Sequence, residues 1–162
     1  TVKKGIEAIS KLKPIFTTIH ISGGDDMQIA SLINNFKKTK ILGVTVLTSL
    51  NKEQALKYYK EKNVNFLVKK FAIFAKQNNL HGLVCSPLEI NIVRKEIGKK
   101  MILVVPGIRP AWSEIKDNDD QKRVLSPKEA IALGADYLVI GRPIVKSINP
   151  LETIKKINQS IQ

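Results

Sequence analysis

Apolar residues along the chain alternate between two periods. Short unbroken runs of β-formers occur at Ile15–Ser22, Lys40–Leu47, Gly82–Ser86, Ile102–Pro106 and Tyr137–Gly141. Runs of this length, apolar throughout, predict strands covered on both faces, as in a parallel sheet. Between them the period lengthens to that of a helix. Asp25–Phe36 repeats Met27, Ala30, Ile33 and Phe36, and residues 64–75 set Val64, Leu67, Val68, Phe71, Phe74 and Ala75 on one face. Similar patterns cover Pro87–Ile97 and Leu151–Ile161. Ser126, Pro127 and Glu129 form a helix start, with cap, first-turn proline and capping-box acid, and Gly134 forms its stop. Strands alternating with helices predict βαβ units of one hand around a parallel sheet. The chain reads as α/β and as a single domain over residues 1–162, without linker, repeat or low-complexity stretch. The longest predicted loop runs from Arg109 to Val124, a length typical of lids and binding loops.

Composition adds exclusions. With 43% hydrophobic and 25% charged residues the chain suits a globular protein, and no apolar run approaches a membrane span. A single cysteine, Cys85, excludes an internal disulfide and fits a reducing cytoplasm. Two histidines, His20 and His81, with no second thiol make a zinc site of the usual ligands improbable. The net charge of +13 suits either an anionic partner or a lysine-rich solvated surface. The lysines come in scattered pairs, such as Lys69-Lys70 and Lys99-Lys100, which favours the solvated surface and argues against nucleic acid. Of 27 basic residues only Arg94, Arg109, Arg123 and Arg142 are arginine. The last three lie at or between the final two strand ends, where a planar fork for an oxyanion is of use.

Those strand ends carry the candidate chemistry. Ile102–Pro106 runs into Gly107-Ile108-Arg109-Pro110, and Tyr137–Ile140 runs into Gly141-Arg142-Pro143. A glycine lets backbone approach a ligand closely, and arginine adds charge-assisted bonds. Two successive parallel strands ending this way predict a phosphate site on the last loops of a (β/α)8 TIM barrel. Taken alone, Gly-Arg-Pro is equally a turn with an exposed arginine. Thr48 reads either as a ligand contact or as the cap of the following helix. His20 reads as structural, Ser22-Gly23-Gly24 as a tight turn, and Cys85 as a small buried hydrophobe.

In order, Pro106-Gly107-Ile108-Arg109-Pro110, Asp120-Gln121-x-Arg123-Val124, Ser126-Pro127-x-x-Ala130 and Gly134-Ala135-Asp136-Tyr137-Leu138-Val139-Ile140-Gly141-Arg142-Pro143 resemble bacterial-type orotidine 5′-phosphate decarboxylases. Ile19-His20-Ile21-Ser22-Gly23-Gly24, Val44-Thr45-Val46-Leu47-Thr48-Ser49 and Gly82-Leu83-Val84-Cys85-Ser86 agree upstream. The resemblance is collinear over essentially the whole chain. It implies a homodimeric, cytoplasmic TIM barrel that converts orotidine monophosphate to uridine monophosphate with no cofactor and no metal. It implies further that Gln121 sits on a mobile phosphate loop, that Gly141 and Arg142 bind the same phosphate, that Pro106 and Arg109 line the site, and that Thr48 faces the pyrimidine.

The resemblance also exposes a gap. The family's catalytic lysine and aspartates lie in an Asp-x-Lys-x-x-Asp motif on the third strand, with further groups on the first two. This chain has no such motif, and Thr1-Val2-Lys3-Lys4-Gly5 resembles the helix that follows it. The expectation is therefore a C-terminal portion supplying about five strand-helix units, strands 4 to 8, with no catalytic residue of its own and inactive alone. The missing initiator methionine agrees. Five strands leave edges exposed at Ile15–Ser22 and Tyr137–Gly141 that a complementing N-terminal segment would cover. Two other readings stay open: a sister sugar-phosphate lyase, such as a keto-gulonate phosphate decarboxylase or hexulose phosphate synthase, and a non-catalytic nucleotide-binding remnant.

Overall fold

A computed structural model describes residues 1–32, 39–113 and 124–162. The five strands form where the apolar runs lie: β1 Phe16–His20, β2 Lys40–Val44, β3 Gly82–Val84, β4 Ile102–Pro106 and β5 Tyr137–Val139. They make one sheet in the order β1-β2-β3-β4-β5, every pair parallel. The helices are α1 Val2–Ser10, α2 Asp25–Leu32, α3 Lys52–Tyr59, α4 Val64–Gln77, α5 Ile90–Ile97, α6 Pro127–Ala132, α7 Arg142–Val145 and α8 Pro150–Ser160.

Most strands are shorter than the apolar runs because their C-terminal ends turn away. Ile21–Gly23 is a 3₁₀ turn, and Pro87–Glu89 is another before α5 begins. The run ending at Leu47 leaves the sheet after Val44, and Thr48 sits in the turn beyond. The cap of α3 is Asn51, whose side chain accepts from Gln54 N at 2.9 Å while Gln54 returns a bond to Asn51 N. Thr48 is therefore not the helix cap.

Ile19, Ile41, Leu83, Leu103 and Val105 point from the sheet into the helical layer. There they meet Leu67, Val68, Phe71 and Ala72 of α4 and Val93 and Ile97 of α5. Each large side chain so buried stabilises by about 1.5–3 kcal/mol. Side chains alternate along a strand, so the other face carries the row His20, Val44, Val84, Val104 and Tyr137, consecutive partners across the sheet.

This second face is concave. Five flat strands at ~4.8 Å spacing would hold β1 and β5 about 19 Å apart. Instead the rings of Phe16 on β1 and Tyr137 on β5 meet edge to face, 5.0 Å between centroids. Along the ladder Tyr137 is level with His20, yet it touches Phe16, four residues earlier. Four residues over four strand steps is the stagger of an eight-stranded barrel with shear ~8. The sheet is five strands of a TIM barrel, already curled.

One side chain ties strand starts together. Arg94 of α5 donates from Nε to Gly134 O (2.7 Å) and from Nη1 to Gly98 O (2.9 Å) and Met101 O (2.8 Å). Its Nη2 pairs with Asp136 Oδ2 at 2.5 Å, and that oxygen also accepts from Leu103 N at 2.7 Å. The turns entering β4 and β5 are thereby fixed on one guanidinium.

Candidate functional site

Because every strand is parallel, their C-terminal ends open on one rim, and barrel enzymes place their chemistry there. Thr48 follows β2, Pro106 ends β4 and Arg109 follows it, and Gly141 and Arg142 follow β5. Five of the six residues expected at the site thus stand on this rim. The sixth, Gln121, lies outside the described residues.

The loop after β4 is set by its backbone. Gly107 has φ +77°, a conformation that favours glycine. Beyond it Ile108 forms an isolated parallel bridge with Leu125, and Arg109 N donates to Leu125 O at 2.9 Å. Arg109 is buried at 9% exposure, so its guanidinium faces the protein and not open solvent. Arg142 is only half-buried. The two strand-end arginines, alike in sequence, differ in what they can reach.

Gly141 differs from Gly107. Its φ is −103°, outside the left-handed region, and a Cβ built there would meet none of the described residues within 4 Å. Crowding by the described residues does not require glycine at that position. Carbonyl Gly141 O accepts from Ile144 N and Val145 N at 2.9 and 3.0 Å, which shapes the turn into α7.

Sequence reasoning passed over the loop after β3. Ser86-Pro87-Leu88-Glu89 repeats the Ser-Pro-x-Glu pattern of Ser126-Pro127-Lys128-Glu129. In both, the glutamate accepts from the serine N–H, at 3.0 Å for Glu89 and 2.9 Å for Glu129. Glu129 is fully solvated, and its bonds to Ser126 hold its carboxyl below the usual range. Glu89 is 1% exposed, a carboxylate buried at the rim beside Cys85. The repeated tetrapeptide was the available signal, but burial, which makes Glu89 unusual, is a tertiary property.

Cys85 is 1% exposed, and burial, reinforced by Glu89, pushes its thiol strongly up, as befits the expected small hydrophobe. His20 is exposed at the end of β1. Among the described residues, no group of three or more His, Cys, Asp or Glu is placed to hold a metal ion. Among them, too, no helix is long and apolar enough to cross a membrane.

The curled parallel sheet with its loops gathered on the C-terminal rim defines a β/α-barrel protein. Within that class the chain belongs to the orotidine 5′-phosphate decarboxylase / HUMPS family, whose model matches residues 1–157. It is 44% identical over 162 residues to the orotidine 5′-phosphate decarboxylase of Wolbachia pipientis subsp. Culex pipiens, covering 99% of this chain and 70% of the relative. The Ehrlichia canis enzyme of the same name is 43% identical, over 99% of this chain and 69% of its own length. Among solved structures, orotidine 5′-phosphate decarboxylase from Lactobacillus acidophilus superposes with TM-score 0.81 at 30% identity, covering 99% of this chain and 69% of that one.

Proposed function

We propose that this chain carries the phosphate- and pyrimidine-binding part of an orotidine 5′-phosphate decarboxylase, acting as one domain over residues 1–162. The observation that carries the reading is the 44% identity to a named decarboxylase across 99% of the chain, with five of six expected ligand residues on one rim. In this reading Arg142, half-buried at the mouth, presents its fork to the substrate phosphate. Gly141, where a Cβ would meet none of the described residues, leaves room for that phosphate to approach the backbone. Gln121 binds the same phosphate. Pro106 and the loop built on Arg109 shape the floor, and Thr48 meets the pyrimidine edge.

Gripping the phosphate lets binding energy remote from the reacting bond offset desolvation of the ring. The lysine and aspartates that drive loss of carbon dioxide and reprotonate the ring are supplied by an N-terminal segment, and the chain alone is inactive. No cofactor or metal takes part. The working enzyme is a cytoplasmic homodimer whose partner molecules are orotidine and uridine monophosphate, not nucleic acid or membrane.

Calorimetric titration with a non-reactive uridine monophosphate analogue tests this. The 162-residue chain should bind it while showing no decarboxylation. Arg142→Ala and Gln121→Ala should each weaken binding by roughly 10- to 100-fold, the cost of one charge-assisted or one buried ligand bond. Affinity indifferent to both substitutions would sink the phosphate grip, and decarboxylation by the chain alone would sink the division of labour.

A further inference from the structure

Arg94 and Asp136 meet at the end of the sheet opposite the rim, where the chain enters β4 and β5. The same two strands lead at the rim to Pro106 and Arg109 and to Gly141 and Arg142. Whatever fixes β5 against β4 therefore fixes the two strand ends relative to each other. Burial does little of this. Strand β5 has three residues, none fully buried, and Tyr137 and Val139 stand 49% and 52% exposed. A strand whose faces are not buried has a weakly specified register. Three residue pairs, Val104–Tyr137, Val105–Leu138 and Pro106–Val139, join it to β4, its one strand partner among the described residues.

The rung before those pairs is made with a side chain. Asp136 N donates to Leu103 O at 2.9 Å, and Leu103 N donates to Asp136 Oδ2 at 2.7 Å. The carboxylate thus stands where a backbone carbonyl would continue the ladder. Arg94 holds that carboxylate and, through Gly134 O and Met101 O, the turns leading into both strands. Gly134 makes room for it: its φ is +109°, and a Cβ there would lie 3.2 Å from Arg94 Nε. The helix stop is also the seat of the guanidinium. A slip of β5 by one residue would carry Arg142 about 3.3 Å along the strand direction and turn the strand's side chains to the other face. Productive geometry at a binding site tolerates only about 0.5 Å.

We propose that Arg94 and Asp136 are positioning residues for the phosphate grip: the pair locks the register of β5 on β4 and so sets Arg142 against the loop built on Arg109. This rests on the proposed function, which places the phosphate at these two strand ends. Neither residue stands on the rim. From Asp136 to Gly141 the extended chain covers roughly 16 Å, and the pair acts along that length through the strands.

The test is calorimetric titration of the 162-residue chain with uridine monophosphate and with uridine, at a temperature where circular dichroism shows each variant folded. Arg94→Lys keeps the charge and loses the fork. It should weaken uridine monophosphate by about tenfold and leave uridine within about twofold. In an Arg142→Ala background the same substitution should cost nothing more, since the group it positions is gone. Asn63→Ala removes the cap of α4, away from β4 and β5, and should leave both affinities unchanged. Unaltered uridine monophosphate affinity in folded Arg94→Lys, equal loss of both ligands, or additive losses in the double variant would each overturn the proposal. Amide hydrogen exchange separates it from the reading it rests on. Ile144 and Val145, whose N–H groups donate to Gly141 O, should exchange about tenfold faster in Arg94→Lys, while the His81 amide, bonded to Ile41 O, keeps its rate. A native chain that binds no nucleotide refutes the proposed function. Exchange at Ile144 and Val145 then decides the positioning, and unchanged rates there overturn it.

Discussion

At the scale of single residues, Arg94 explains why one arginine far from the strand-end loops was not written as lysine. Its fork serves three backbone carbonyls and a carboxylate at once, which a single ammonium cannot do. Arg94→Ala should lower unfolding free energy by about 2–3 kcal/mol, measured by denaturant titration, with little recovery in Arg94→Lys. Sequence could not reveal this role, since backbone carbonyls have no letter of their own. His81 is likewise tertiary. Its Nδ1 accepts from Ile41 N at 3.0 Å, and burial followed by the nearby Lys40 charge lowers its pKa from about 6.5. The unfolded chain therefore takes up the proton first as pH falls. The contribution of neutral His81 is complete above about pH 6.5 and declines as pH drops through and below that value. Melting temperature of the native chain should fall more steeply between pH 7.5 and 5.5 than that of His81→Gln, whose amide oxygen can still accept from Ile41; parallel profiles would refute the assignment.

At the scale of elements, what was legible followed burial. Helix α4 shows its period because it buries Val64, Leu67, Val68, Phe71, Ala72 and Ala75, and α6 showed its capping box openly. Helix α3 buries only Ala55, so no apolar period announces it, and the Asn51–Gln54 box is its one sequence signal. The cap of α4 follows the same logic: Asn63 accepts from Phe66 N at 3.1 Å. Asn63→Ala should cost about 1 kcal/mol in thermal or denaturant unfolding, while Asn63→Asp should cost a few tenths at most. At the candidate site, the positions of Thr48, Pro106, Arg109, Gly141 and Arg142 on one rim follow from parallel strands, which the apolar runs announced. The unequal burial of Arg109 and Arg142 does not, because burial is set by packing between segments distant in sequence, here beside the Ile108–Leu125 bridge.

For the whole molecule, the number of strands among the described residues was readable from the spacing of apolar runs, while their order and the two exposed edges came from the resemblance to a barrel family. Curvature was not, since a five-strand parallel sheet can be open or curled with the same pattern. The Phe16–Tyr137 contact decides it by joining the first strand to the last across the concave face. That contact has a kinetic consequence. A sheet that must bend as its partner arrives gives up conformational freedom during association, which slows binding and weakens it. Here aromatic packing has already met that cost within the folded chain. The concave face is preformed, so whatever packs against it meets a fixed shape, at a rate set by orientation and diffusion instead of by the remodelling of a flat sheet.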